Sequence, residues 1–164
     1  MESKLFERPS WDKYFITIAK LTSQRSNCIK RKVGCIIVKD KRILSLGYNG
    51  TAIDTLNCYE GGCKRCMDQY LDKHESSSAK QLDLCMCLHA EENAILFISK
   101  NELQDATVYV TLMPCISCVK KILQCKIKRV VYIDNYSPEI DIHSIEILQK
   151  NNIIIEKYNE TIEN

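Results

Sequence analysis

Apolar residues recur along this chain at two spacings, and the change from one to the other marks its elements. Trp11, Tyr14, Phe15, Ile18, Ala19 and Thr22 fall three and four apart directly after Pro9-Ser10, which predicts a helix over about residues 10–24. Val33–Val38 and Ile43–Leu46 are strand-type runs joined by the polar stretch Lys39-Asp40-Lys41-Arg42, so they predict a hairpin. Gly47-Tyr48-Asn49-Gly50 then breaks the pattern. Residues 51–84 are polar, hold Gly61-Gly62 and Ser76-Ser77-Ser78, and show little periodicity. A stretch that long with no core signal needs something other than apolar packing to organise it.

Regular alternation resumes beyond it. The spacing predicts a helix over 89–99, a strand at Thr107–Thr111 and a helix at Pro114–Gln124 with proline in its first turn. A strand at Arg129–Ile133, a helix over about 138–150 and a last strand at Ile153–Glu156 follow. Strands alternating with helices predict an α/β sandwich whose sheet is begun by a hairpin and continued by parallel crossovers. No internal repeat and no boundary is visible, so residues 1–164 read as a single domain with a Cys-rich insert at about 51–88.

Composition narrows the function class. A chain of 164 residues suits one hydrophobic core, and 45% hydrophobic with 27% charged residues places it among ordinary globular proteins rather than disordered ones. No stretch approaches the roughly 20 apolar residues of a membrane span. The N-terminus lacks the apolar core of a signal peptide, which predicts a cytoplasmic or nuclear setting and no membrane partner. A formal net charge of +2 gives no large electrostatic footprint for a polynucleotide, so no nucleic-acid partner is expected, while small anionic substrates remain open. Lys30-Arg31-Lys32 is a small basic patch that suits a phosphate-side funnel or a solvated hairpin edge equally.

Ten cysteines change the picture further. In a reducing compartment, clustered cysteines bind metal or do chemistry more often than they form disulfides. Cys58, Cys63, Cys66, Cys85, Cys87, Cys115 and Cys118 cluster in sequence, whereas Cys28, Cys35 and Cys125 stand apart and read as small buried hydrophobes. The sharpest pattern is His89-Ala90-Glu91 followed, after a strand, by Pro114-Cys115-Ile116-Ser117-Cys118. Two cysteines three apart on a first helical turn share a face, and the helix N-terminus favours their thiolates. One imidazole and two thiolates make a three-ligand zinc site with the fourth position open, the catalytic arrangement. Zinc makes water there available as hydroxide near neutral pH. Glu91, two residues from His89, is placed to take the water's proton and deliver it to a base nitrogen and the leaving ammonia. Glu92 reads as a capping or solvated neighbour. The whole pattern matches the known signature of zinc-dependent nucleobase deaminases.

The likeness extends beyond that signature. Arg8–Phe15, Arg25–Gly34, Gly47–Thr51, Asn57–Cys66 and Cys85–Asn93 all resemble the fungal type of deoxycytidylate (dCMP) deaminase, within the zinc-dependent cytidine/deoxycytidylate deaminase family. The resemblance covers roughly residues 8–136, and Ala52 departs from it where family members often carry proline. It implies a three-layer α/β/α cytidine-deaminase-like sandwich with a mixed five-stranded sheet. It also implies hydrolysis of dCMP to dUMP and ammonia, which supplies dUMP for thymidylate synthesis. By the same resemblance, Asn49 contacts the sugar, the Ala90 backbone reads the pyrimidine edge, and Arg25 is a candidate for the phosphate. Tyr136 closes over the base, since an aromatic face suits a pyrimidine. Gly47, Tyr48, Asn49 and Gly50 are associated in the family with effector binding. The expected partners are therefore dCTP as activator and dTTP as inhibitor, with Mg2+ accompanying the triphosphates, on a homo-oligomer, a hexamer.

Cys58, Cys63 and Cys66 supply three thiols in the one segment that lacks a core signal, and a structural zinc would organise it. Cys85 is the favoured fourth ligand because it can point away from His89. Cys87 is the alternative that risks crowding that histidine, and His74 is a weaker candidate. Lys64 and Arg65 are solvated or screen the thiolates. Two zinc ions per chain are expected, one catalytic and one structural. The rival readings are a same-fold deaminase acting on another nucleoside or a nucleic acid, and a catalytically dead regulatory scaffold. The intact Glu91 argues against the scaffold, which needs zinc ligands but no proton shuttle.

Overall fold

Ser10 opens the first helix: its hydroxyl accepts the Lys13 backbone N–H at 3.1 Å, and α1 runs Trp11–Ser23. In the computed structural model, which describes residues 8–71 and 84–159, the hairpin follows as β1 (Gly34–Lys39) and β2 (Arg42–Tyr48). A 3₁₀ turn at Cys58–Glu60 and helix α2 (Lys64–Leu71) lie in the polar insert. Then come α3 (Ala90–Leu96), α4 (Lys100–Leu103), β3 (Thr107–Leu112), α5 (Ile116–Gln124), β4 (Arg129–Asp134), α6 (Pro138–Lys150) and β5 (Ile154–Lys157). His74 and the serine run at 76–78 lie outside the described residues. Among the described residues no helix is long and apolar enough to cross a membrane.

The five strands form one mixed sheet in the order β2-β1-β3-β4-β5. β1 pairs antiparallel with both β2 and β3, while β3–β4 and β4–β5 are parallel. The connection from β2 to β3 is thus a parallel crossover that skips β1, a topology that local spacing does not reveal. Strand alternation sorts the side chains into two layers of core. Ile36, Val38, Tyr109 and Val131 face α1 with Phe15, Ile16 and Ala19. Cys35, Ile37, Val108, Val110, Val130 and Tyr132 face the other way, onto Ala90 and Ala94 of α3, Val119 and Ile122 of α5 and Leu148 of α6. The result is the expected α/β/α sandwich, with α3 and α5, whose starts carry His89, Cys115 and Cys118, on the multi-helix side.

Two elements depart from the periodicity. The helix expected over 89–99 stops at Leu96 and restarts as α4, where the Ser99 hydroxyl caps the Glu102 N–H. α2 was not expected, because its first turn is fastened by cysteines rather than by an apolar stripe. On the opposite face, Arg129 of β4 grips Asp12 in the first turn of α1 through two nitrogens at 2.8 and 2.6 Å. The Tyr109 hydroxyl donates to the same carboxylate at 2.6 Å. The guanidinium beside it holds the Asp12 carboxyl below the usual carboxylate range. That contribution is present above the unfolded value and is lost as pH falls through the lowered one.

Candidate metal and catalytic site

His89 and Cys115 occupy the same structural position on different helices: each is the residue that opens one, His89 for α3 and Cys115 for α5. Cys118 follows on the first turn of α5, buried in the core. The two helices are tied by Lys121 of α5, which meets Glu92 of α3 at 2.7 Å, while the other Glu92 oxygen accepts the His89 backbone N–H at 2.8 Å. Glu92 is therefore the capping neighbour, and it fixes the histidine rather than sharing its chemistry.

The geometry suits a zinc ion. His89 Nδ1 lies 3.3 Å from Cys118 Sγ and 3.4 Å from Cys115 Sγ. Zinc bonds of about 2.0 Å to nitrogen and 2.3 Å to sulfur, at tetrahedral angles, separate such atoms by about 3.5 Å. The hydrogen bond with Cys118 pulls the Cys115 thiol down to about 4, and contact with Cys115 pushes the His89 imidazole up to about 9. Negative charge on the Cys115 sulfur is thus favoured by the site itself, and that is the ligating state. The bond with Cys115 and burial push the Cys118 thiol well above the usual thiol range, so Cys118 loses its proton only when a cation takes its place. Glu91, on the first turn of α3, is only 4% exposed and lies against the Cys118 thiol. Burial pushes its carboxyl up to about 7, opposed by the nearby imidazole, so it is poised to take and give a proton near neutral pH.

What brings α3 this close is Gly47. A Cβ there would stand 2.3 Å from the Ala90 carbonyl oxygen and 2.5 Å from the Ala94 nitrogen. The bare backbone lets the first turn of α3 lie directly on β2, and Asn93 then donates to the Tyr48 carbonyl at 2.7 Å. Gly50 exchanges two backbone hydrogen bonds with Leu88, at 3.1 and 2.8 Å, and so fixes the residue before His89. Asn49 is buried, its oxygen accepting the Val33 N–H and its amide donating to the Arg31 carbonyl, both at 2.8 Å. These residues hold the site's framework.

The remaining expected residues are spread. Ala90 is fully buried at the start of α3. Arg25 is exposed just past α1. Tyr136 is half-buried after β4, with the Arg31 guanidinium 4.8 Å from its ring centre and its N–H donating to Asp141 at 2.8 Å. A cleft of 410 Å³ opens at the carboxyl ends of β3 and β4, just before the Pro114-Cys115 turn; Lys20, Arg31, Lys32, Thr111 and Asn135 are among its lining residues. The basic patch 30–32, which by sequence suits a phosphate-side funnel or a solvated edge equally, is divided. The structure puts Arg31 and Lys32 in this cleft and turns Lys30 away to Gln69.

The cysteine-rich segment forms a second centre. The four cysteines expected to share one ion are divided between two sets: Cys63, Cys66 and Cys85 with Cys87, and Cys58 and Cys66 with Cys87 and Cys28. Within each set the sulfurs lie within 4.8 Å of one another. Cys28, read from sequence as an isolated small hydrophobe, is corrected to a member of the cluster. The neighbour of each cysteine explains why. Asn27 donates to Asn57 at 2.8 Å and accepts from the Thr51 N–H at 3.1 Å, which brings Cys28 against the turn that carries Cys58. Gly61, with φ +98°, then turns the chain so that Cys63 can open α2.

Comparison with known proteins follows the same residues. Residues 9–134 match the family model described as the cytidine and deoxycytidylate deaminase zinc-binding region. A deoxycytidylate deaminase of Schizosaccharomyces pombe is 44% identical over 152 residues, which cover 92% of this chain and 45% of that protein. One from Saccharomyces cerevisiae is 42% identical over 157 residues, covering 95% and 47%. The chain thus spans about half the length of these curated relatives. The crystal structure of dCMP deaminase from cyanophage S-TIM5, in complex with dCMP and dUMP, superposes with a TM-score of 0.70 at 31% identity, covering 93% of this chain and all of that one.

Proposed function

This chain belongs to the cytidine and deoxycytidylate deaminase zinc-binding family, and on that premise we propose that it hydrolyses dCMP to dUMP and ammonia, supplying dUMP for thymidylate synthesis. The observation that carries the reading is a buried carboxyl, Glu91, held against a His-Cys-Cys donor set on two adjoining helix starts. His89, Cys115 and Cys118 are the ligands for zinc, which when bound activates water for attack on the base near neutral pH. Glu91 would take one proton from that water and give it to the ring nitrogen, which keeps it in dUMP, and would then carry the water's second proton to the amino group, which leaves as ammonia. A carboxyl raised to about 7 can serve as base and acid in turn. The Ala90 backbone lies beside it to read the pyrimidine edge, and Asn49, whose side chain also bonds the Val33 N–H and the Arg31 carbonyl, contacts the sugar. Tyr136 closes over the base.

For the phosphate, the cleft, whose lining holds Lys20, Arg31 and Lys32 against the one carboxylate of Asp134, favours Arg31 and Lys32, with Arg25 as the outer alternative. Arg31→Ala is expected to raise KM for dCMP about 10-fold or more and to leave turnover of deoxycytidine, which has no phosphate, nearly unchanged. Equal effects on both substrates would remove Arg31 from phosphate binding. The substrate itself is settled by running dCMP beside CMP, dCTP and deoxycytidine and following ammonia release. The proposal predicts preference for dCMP, and preference for deoxycytidine would assign a nucleoside deaminase instead.

Regulation and assembly belong to the same proposal. The Gly47-Tyr48-Asn49-Gly50 turn is the expected effector site, with dCTP activating, dTTP inhibiting and Mg2+ accompanying them. The assembly expected is a homohexamer, and apolar side chains left exposed on one chain, Phe97 at 72% and Leu96 at 61%, suit a contact between subunits. Kinetics check this directly: dCMP saturation should be sigmoidal and become hyperbolic with dCTP. A hyperbolic curve indifferent to both triphosphates, from a monomer, would leave only the catalytic reading. A reducing cytoplasmic or nuclear setting fits the ten cysteines, all free thiols. One domain with a cysteine-bearing insert at about 51–88 completes the reading, with zinc in that insert as well as at His89.

A further inference from the structure

Six of the eight cysteines outside the His89 site have a geometry that one metal ion does not use up. Cys66 and Cys87 belong to both four-sulfur sets; Cys28 and Cys58 complete one set, Cys63 and Cys85 the other. A zinc ion bonded to four thiolates at about 2.3 Å spaces its sulfurs about 3.8 Å apart. Cys63 and Cys85 stand 3.9 Å apart, and Cys66 and Cys85 4.0 Å. Those separations are far too long for disulfides, whose sulfurs bond at about 2.05 Å, and all six are free.

We propose that these six cysteines hold two zinc ions in one cluster, with the Cys66 and Cys87 thiolates bridging the pair. One ion takes Cys28 and Cys58 as its terminal ligands, and the other takes Cys63 and Cys85. A single ion in either set would leave two sulfurs of the other unligated beside it, and Cys58 or Cys63 would then be a buried thiol with no role. Sharing two sulfurs gives each ion its four ligands from six residues. Six thiolates with two zinc ions carry the same net charge as four thiolates with one, so the second ion adds no uncompensated charge to a buried site.

The backbone is arranged for anionic sulfur at all four terminal positions. Cys28 accepts the N–H groups of Lys30 and Arg31, and Cys58 that of Ile29. Cys63 accepts the Met86 N–H at 3.4 Å, and Cys85 that of Cys87. The bridging residues are fixed from opposite directions. Cys66 sits on the first turn of α2, whose Met67 N–H bonds the Cys63 carbonyl at 3.0 Å. Cys87 precedes Leu88, whose two backbone bonds to Gly50 lock the segment that leads into His89. The cluster therefore gathers the chain at 28, at 58–66 and at 85–87, where apolar packing is sparse, and it anchors the segment that aims the histidine. Ion binding at such a site is folding free energy.

The test is a metal count on the full chain, purified from zinc-supplemented medium without chelator, beside its C115S/C118S double variant. Elemental analysis should give three zinc ions for the wild type and two for the variant. Loaded with cadmium-113, the cluster should give two resonances split by mutual coupling through the shared sulfurs. One zinc in the variant, iron in place of zinc, or two cadmium signals without coupling would overturn the bridged pair. Should the variant fail to fold, the wild-type count and the coupling decide alone. None of these readouts involves deamination, so failure of the cluster and failure of the dCMP assignment are told apart.

Discussion

Replacing Glu91 with glutamine should cut dCMP turnover by about 10³-fold or more while leaving fold and zinc content intact. The substitution keeps the side chain's size and removes only its ability to carry a proton, and positioned proton transfer contributes about 10²–10⁴-fold. The carboxyl is almost wholly buried, and burial has already pushed it up to about 7. An uncharged amide at that position costs no more to bury than the carboxylate does, so thermal stability should hold or rise. Loss of zinc from the variant would make Glu91 a structural partner of the ligands, and retention of more than a few per cent of activity would remove it as the shuttle.

Gly47→Ala is expected to be the most damaging single-methyl change on the chain. The new Cβ meets two backbone atoms of α3, at 2.3 and 2.5 Å, rather than a side chain that could swing aside. Either α3 retreats from β2 or the strand bends. The cost is about 3 kcal/mol of stability, at the upper end for overpacking a core. Because His89 and Glu91 ride on the start of α3, folded enzyme should also lose about 10²-fold in kcat, the effect of misplacing a reacting group by about 1 Å. A thermal melt and steady-state kinetics check both. Wild-type kinetics with altered response to dCTP alone would show instead that Gly47 serves the effector, not the packing.

These two positions also show how far the sequence could be read. His89, Glu91, Cys115 and Cys118 were legible because their chemistry lies in short spacings, and each spacing sits on a helix start that Pro114 or the apolar period announces. The hairpin and α6 were legible for the same reason. Cys28 was not, because it is 30 positions before Cys58 and is brought to it by contacts made in space, Asn27 with Asn57 and the Ile29 N–H with the Cys58 thiol. α2 hid in a polar segment because cysteines, not an apolar stripe, fasten its first turn. Gly47 resembled a turn residue. Its role depends on what lies across from it in space, and the crossover that skips β1 is what brings α3 there. The same holds for Arg31 and Lys32, whose cleft is assembled from the ends of β3 and β4.

The central claim is hydrolytic deamination of dCMP by a zinc centre at His89, Cys115 and Cys118. Its most direct test is to incubate the purified, zinc-replete chain with dCMP and quantify dUMP and ammonia together. Equal amounts of the two, formed catalytically by wild type and not by the Glu91→Gln variant, are the predicted result. No dUMP from folded, zinc-loaded wild-type protein, or equal yields from both proteins, would contradict it.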